Sequence, residues 1–401
     1  MKILFVTNNL YPYLNANSEI CYKLASVLKS EYDCYVTVLG YSDKERPETP
    51  NPYHVNEYEI EAIGVGRRIM ARRENRVIKL LRLLSHPNAF IYVFHPEKHP
   101  WYILKTHYAK AIRRICKLQR IDCIVCFKNP NDTIAGAIEA NVDVPIIAYE
   151  LDPWENCAEQ TDEELSEQQY ELEKHCAAII TTKLLYPNYM KPECKIPSDR
   201  VFSAEFPNIV EYAAPCKKTF TDGKIHCVFT GQLYDDIRNP KFTIELFSKL
   251  ADKNIVLDIF GNDNGCLKDI DLPDNIVYHG EVSSDEAMSY LFAADVVVNI
   301  GNTLVYMLPS KILTYVSMGK PILNIIKSTK CPTLSYLDKY PLAKTILEKE
   351  YVSDNDIKEI ISFCKSAPAH IVEFNDVKAI FSDATPRHVG RILYDVICKC
   401  K

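Results

Sequence analysis

Two short stretches carry cations beside turn residues, in the pattern that grips phosphate. The first is Met307-Leu308-Pro309-Ser310-Lys311. It lies between an apolar run, Val296–Ile300, and a helix predicted over Ile312–Met318 that Gly319 ends. Ser310 is a good N-cap and Lys311 falls in the first turn, where a cation opposes the helix dipole unless an anion sits against it. The second is Thr230–Phe242, TGQLYDDIRNPKF. Gly231 follows a strand and permits close backbone approach. Arg238 precedes a helix opened by Pro240 and brings the planar fork that suits phosphate oxygens. Either stretch alone also fits an ordinary capped helix with a surface cation. In one domain together they point to a diphosphate, whose charge must be neutralised as a bond to it breaks. A divalent ion on an acidic pair could do the same. The nearest such pair, Asp354-Asn355-Asp356, reads as helix capping, so no metal ligand is assigned.

A second set of candidates lies earlier. Glu150-Leu151-Asp152-Pro153-Trp154 follows a predicted strand over Pro145–Tyr149. Asp152, or Glu150, could orient or deprotonate a hydroxyl; the plainer alternative is an Asp-Pro turn with Trp154 in the core. The stretch GRRIMARRENRVIKLLRLL predicts a helix over 67–84. At 100° per residue Met70, Val77, Leu80, Leu81 and Leu84 share one face, with Arg68, Arg72, Arg76 and Lys79 opposite. Residues 61–120 hold 14 Lys/Arg against 3 Asp/Glu, a balance of 14 − 3 = +11 in a chain of net charge −6. Such a face is either a solvated helix surface or a surface for anionic headgroups or a lipid-diphosphate acceptor. No nucleic-acid partner is expected, since no aromatic interleaving accompanies the charge. The 15 Cys and ten His show no metal-type pairing. With no secretory leader, reduced thiols and a cytoplasmic location are expected, with the basic helix peripheral on the inner membrane face.

The elements that must position these residues alternate. Strands are predicted over Lys2–Thr7, Tyr35–Leu39, 89–94, Cys123–Phe127, Pro145–Tyr149 and Ala178–Thr181, with helices over Glu19–Lys29, 67–84, Tyr102–Leu118, Thr133–Ala140 and Thr161–His175. A polar loop, Asn8–Ser18, follows the first strand. Proline recurs over 187–224, with an inter-domain crossing at 208–223. A second series then starts: strands Ile225–Phe229, Val256–Phe260, Ile276–His279, Val296–Ile300 and Pro321–Ile326, helices Pro240–Leu250 and Ser284–Ala293, and a last helix, His388–Lys399. The fold class is therefore α/β, with a first doubly wound domain over 1–207, a linker over 208–223, a second over 224–380, and a C-terminal helix within 381–401 that returns to the first. Every polar turn of interest follows a strand, where ligands sit in such sheets.

The stretches MLPSKILTYVSMGKPIL, HGEVSSDEAMSYLFAADVVVNIGN, Gly231–Arg238 and YPYLNANSEICYKLASVL together resemble the GT-B glycosyltransferases, in particular the large retaining bacterial group of family 4 type. The resemblance runs over nearly the whole chain. It implies two Rossmann-like domains facing across a cleft, with a nucleotide-sugar, UDP- or GDP-linked, held mainly by the second. It implies a glycan or lipid-linked acceptor held by the first, no metal, and surface polysaccharide synthesis. The donor residues it implies are Gly231, Arg238, Gly261, Val282, Asn302, Ser310, Lys311 and Thr314. The first-domain loop facing the donor is Asn15, Ala16 and Asn17, and the acceptor-side acid is Asp152 or Glu150. Members of the group commonly carry two glutamates where this chain has Tyr306 and Thr314, and paired glycines where it has Asn15-Ala16-Asn17-Ser18. Those departures leave a second reading: a GT-B-like nucleotide-binding or regulatory protein that has lost catalysis.

Overall fold

The computed structural model describes residues 1–42, 46, 51–60, 102–128, 131–152, 162–268, 270–305, 307–309 and 311–401. The expected helix over 67–84, the strand over 89–94, Trp154, Tyr306 and Ser310 lie outside them. The chain forms two units, Met1–Pro207 with Pro386–Lys401, and Asn208–Thr385.

Unit 1 is built on β1 (Lys2–Asn9), β2 (Tyr35–Tyr41), β3 (Asn56–Glu59), β4 (Cys123–Phe127), β5 (Ile146–Glu150), β6 (Ala178–Thr182) and β7 (Val201–Ala204). All pair in parallel, in the order β3-β2-β1-β4-β5-β6-β7. Parallel strands covered on both faces read as continuous apolar runs, which is why CIVCF and AIITT are wholly buried. Helices α1 (Ala16–Tyr32), α2 (Tyr102–Leu118), α3 (Asp132–Ala140) and α4 (Asp162–Glu173) connect them. β1 runs two residues beyond its expected end and α1 begins at Ala16, so the expected loop Asn8–Ser18 shrinks to Leu10–Asn15. The cause is local. The Asn15 side chain accepts from the Ser18 amide at 2.8 Å and caps the helix, drawing Ala16 and Asn17 into its first turn.

Unit 2 repeats the plan with β8 (Ile225–Thr230), β9 (Ile255–Phe260), β10 (Ile276–Gly280), β11 (Val296–Ile300), β12 (Ile322–Ile326) and β13 (Ala343–Leu347), parallel in the order β10-β9-β8-β11-β12-β13. Its helices are α5 (Lys241–Ser248), α6 (Ser284–Ala293), α7 (Lys311–Ser317), α8 (Asp354–Ser366) and α9 (Phe374–Ile380). Ser353 and Asp356 form a reciprocal capping box on α8, so the Asp354-Asn355-Asp356 acids are helix-start residues, as read from the sequence.

The last helix, α10 (Pro386–Cys400), belongs to unit 1, as expected. It lies on α1 with Tyr394 stacked on Tyr32 at 4.1 Å. Gly390 sits so close to Val27 that a Cβ there would be 2.4 Å from Cγ1.

Candidate functional site

In unit 2 the strand order reverses direction between β8 and β11. At such a switch point the loops leave to opposite sides and open a crevice at the carboxyl ends of the strands. Thr230 ends β8 and Gly231 follows it; Gly301 and Asn302 follow β11. The loop after β8 closes on itself through paired backbone bonds between Tyr234 and Arg238, at 3.2 and 3.1 Å. That turn sends the Arg238 side chain back over the crevice. Its Nε and Nη2 donate to Asn302 Oδ1 at 3.0 and 2.8 Å, and Nη1 donates to the Gln232 carbonyl at 3.2 Å. Burial lowers the guanidinium pKa from its ordinary value. A guanidinium has five N–H groups, so 5 − 3 = 2 are left for a ligand.

Two glycines make room. A Cβ on Gly231 would lie 3.4 Å from Arg238 Nη1. Gly261, at the end of β9, has φ +124° and would place a Cβ 2.0 Å from the Gly231 carbonyl oxygen. No side chain fits there, so backbone meets backbone at the mouth of the crevice. Lys311 lies on the other side. Its Nζ donates to the Thr230 carbonyl at 3.1 Å and to Thr230 Oγ1 at 3.3 Å. Beneath it the buried Tyr315 hydroxyl donates to the same carbonyl at 3.1 Å. The end of β8 is thus gripped from α7 at i and i+4.

The structure therefore gathers Gly231, Arg238, Gly261, Asn302 and Lys311 of the sequence-derived set around one switch point. Thr314 is half-buried on α7 one turn beyond Lys311, and Val282 is half-buried two residues past β10. The Gly261 amide bonds the Gly280 carbonyl at 2.8 Å, which ties the Val282 loop to the same strand ends. Helix α7 spans only seven residues, so its dipole is a small contribution beside the two side-chain cations. Thr230, Gln232 and Tyr315 were not singled out by sequence. The signal for Tyr315 was its place four residues after Lys311.

In unit 1 the reversal falls between β1 and β4. Asn17, buried in the first turn of α1, donates to Asp152 Oδ2 at 3.1 Å across 135 residues. Asn15 Nδ2 donates to Asn9 Oδ1 at 3.1 Å, and Ser18 Oγ lies 3.0 Å from Thr7 Oγ1. Asn15, Asn17 and Asp152 are thus brought together at the strand ends, with Ala16 exposed beside them. Asp152 is half-buried. Glu150 is elsewhere. It is buried, 3.4 Å from Lys128 Nζ, and accepts from the Tyr189 hydroxyl. That hydroxyl also lies 2.9 Å from Glu173 Oε1, and Gln169 donates to Glu173 at 2.8 Å. Burial, then the neighbouring Glu150, raises the Glu173 carboxyl well above the usual carboxylate range, whereas burial pulls Lys128 down. This is an interior charge cluster that supports the strand ends from behind.

A cavity of about 820 Å³ opens beside Ile121 and Pro145, at the amino ends of β4 and β5. It lies at the opposite end of the sheet from the residues above. Among the described residues no group of three His, Cys, Asp or Glu is placed to hold a metal ion, and no helix is long and apolar enough to cross a membrane.

No protein-family model matches the chain, and no curated protein matches it by sequence. Solved structures match it end to end. Anabaena Alr3699/HepE in complex with UDP and glucose has TM-score 0.63 at 11% identity, covering 100% of both chains. The GT-B fold is shared. The apo form of the lipopolysaccharide outer core galactosyltransferase WaaB has TM-score 0.54 at 8% identity, covering 100% of this chain and 99% of that one. A putative UDP-N-acetylglucosamine 2-epimerase from Listeria monocytogenes has TM-score 0.60 at 11% identity, covering 99% and 95%. At such identities the likeness is one of fold.

Proposed function

We propose that the chain is a glycosyltransferase that moves a hexose from a UDP- or GDP-sugar to a hydroxyl of a glycan or lipid-linked saccharide, without metal and with retention. The observation that carries this is the Arg238–Asn302 and Lys311–Thr230 pair of cation anchors on either side of the β8/β11 switch point. Two cations at a glycine-lined crevice neutralise a diphosphate as the sugar bond breaks, in a place where backbone can approach it. Among the matched structures, HepE holds UDP and glucose, and WaaB is a galactosyltransferase.

In this reading Gly231 and Gly261 admit the diphosphate, Arg238, Lys311 and Ser310 bind it, and Asn302 holds the arginine. Thr314 meets the ribose and Val282 the base. Asn15, Ala16 and Asn17 lie at the strand ends of unit 1 beside Asp152. Asp152, oriented by Asn17, accepts or orients the acceptor hydroxyl, and Glu150 with Lys128 keeps that strand end in place. The basic stretch 67–84 fits an anionic membrane surface, which suits surface polysaccharide synthesis in a bacterium. Nucleotide binding without transfer is the second reading. It is favoured by one residue, Thr314, which offers the ribose a neutral hydroxyl where the resembled group has a carboxylate. A thermal-shift panel of nucleosides, nucleoside diphosphates and nucleotide-sugars tests the site. The diphosphates of one base should raise the melting temperature and the nucleosides should not; a flat panel removes the donor assignment.

A further inference from the structure

Unit 2 carries a buried polar chain that the donor site does not use. His226 on β8 is 5% exposed and makes a contact at each ring nitrogen. Nδ1 lies 2.7 Å from Asp258 Oδ2 on β9, and Nε2 lies 2.9 Å from Asp222 Oδ1 in the segment before β8. Asp258 Oδ1 is in turn 2.8 Å from His279 Nε2 on β10. The rings are stacked as well as bonded. Phe220 lies on His226 at 3.7 Å and 5°, and Phe260 lies on His279 at 4.2 Å and 3°.

A carboxylate only accepts hydrogen bonds, and a neutral imidazole has one N–H. Asp222 is an ionised acceptor: the His226 bond and then the Lys224 amide, at 3.1 Å, hold its carboxyl below the usual range. An imidazole held between two carboxylates must donate at both nitrogens. We infer that His226 is an imidazolium whose proton docks the segment 216–222 onto the sheet and, through Asp258 and His279, fixes the loop that begins at Gly280.

The other charges facing the ring agree with this. Asp295, ahead of β11, accepts the His226 amide at 2.8 Å and adds a third carboxylate near it. Lys218 is turned away, over the Tyr290 ring of α6 at 4.8 Å and 3.5 Å from Glu286. Lys217 of the segment is exposed, and Lys224, two residues past Asp222, stands beside that carboxylate. The segment is also held on α6, where the Cys216 amide donates to Ser289 Oγ at 3.2 Å and Lys218 lies 3.5 Å from Glu286. Neither contact involves the His226 ring; proton loss at His226 removes one of that ring's two hydrogen bonds and leaves a lone pair facing a carboxylate, so docking weakens as pH rises. His279 immediately precedes Gly280, whose carbonyl accepts from the Gly261 amide at 2.8 Å. His226 is thus a positioning residue for the loop carrying Val282, which extends the donor-site reading and rests on it.

The test is nitrogen-15 NMR of the imidazoles in the full chain, from about pH 5.5 to about pH 9, with amide exchange of residues 216–224 followed alongside. The wild type should show both His226 nitrogens protonated wherever the segment is protected, and protection, corrected for intrinsic exchange, should fall about tenfold as that proton is lost. In Asp222→Asn the carboxamide can donate to a neutral ring, so protection should become independent of pH. A single neutral tautomer in the docked wild type overturns the proposal, as does the same pH dependence in both proteins. UDP affinity, taken as the ratio of wild type to Asp222→Asn, should fall over the same pH range; a constant ratio severs His226 from the nucleotide loop. If UDP binds neither protein, the donor assignment fails while the NMR result still decides the protonation of His226.

Discussion

Replacing Arg238 separates phosphate recognition from structural support. The side chain spends three N–H groups on Asn302 and Gln232 and keeps two for the crevice. Arg238→Ala removes the two that meet the diphosphate; a charge-assisted hydrogen bond contributes roughly 1.5–3 kcal/mol. A net loss of about 2 kcal/mol raises the Kd of UDP or GDP about 30-fold. The parent nucleoside has no phosphate and should change by less than about threefold. The same substitution strips both donors from the buried Asn302 Oδ1, which costs roughly 1–3 kcal/mol of stability. That loss touches both ligands alike, so the difference between them reads the phosphate contact. Arg238→Lys keeps the charge without the fork and should fall between. Titration calorimetry with diphosphate and nucleoside on the three proteins makes the comparison. Equal losses for the two ligands would show that Arg238 shapes the loop and meets no phosphate.

Three further outcomes follow from the same geometry. Gly261→Ala forces a Cβ to within 2.0 Å of the Gly231 carbonyl at φ +124°, so it should cost about 3 kcal/mol or more and lower Tm by roughly 6–12 °C; a calorimetric scan with an unchanged Tm contradicts the backbone contact. Thr314→Glu should tighten diphosphate nucleotide binding by up to roughly tenfold if Thr314 faces the ribose, and a lower Tm with no gain in affinity places it in the interior instead. Burial pushes the Asp132 carboxyl up to about 9, against about 4 in an unfolded chain. The folded state then binds the extra proton, so this group's contribution to stability is full below about pH 4 and is lost as pH rises through about 9. Asp132→Asn should therefore flatten the pH dependence of denaturant midpoints and be the more stable protein near about pH 8; parallel curves for the two proteins would refute the burial of that carboxyl.

The sequence made the buried parallel strands legible because they are unbroken apolar runs. CIVCF, VVVNI and the helix Tyr102–Leu118 have the expected bounds. The edges were harder. β3 reads NEYE and is half-exposed, and β13 reads AKTIL; each needs only one neighbour and carries little apolar signal. The site was legible in its residue types and illegible in its pairings. Gly231, Arg238, Asn302 and Lys311 could be named, but the bond from Arg238 to Asn302 spans 64 positions and leaves no local pattern. Glu150 shows the opposite limit. Its strand-end position suggested chemistry, and only the fold reveals Tyr189 and Lys128 closing over it in the interior. The helix start at Lys311 reads as one of two anion-holding stretches, and its seven-residue length leaves that role to the side chains.

The central claim is that unit 2 holds a nucleotide-sugar by its diphosphate and loosens the sugar. Phosphorus-31 NMR of the protein with UDP- and GDP-sugars, in excess chelator and without acceptor, tests it most directly. The account predicts slow release of one nucleoside diphosphate together with free sugar, slowed further in Lys311→Ala. Resonances that neither shift nor decay for any donor would contradict it, and so would an intact nucleotide-sugar converted to its epimer.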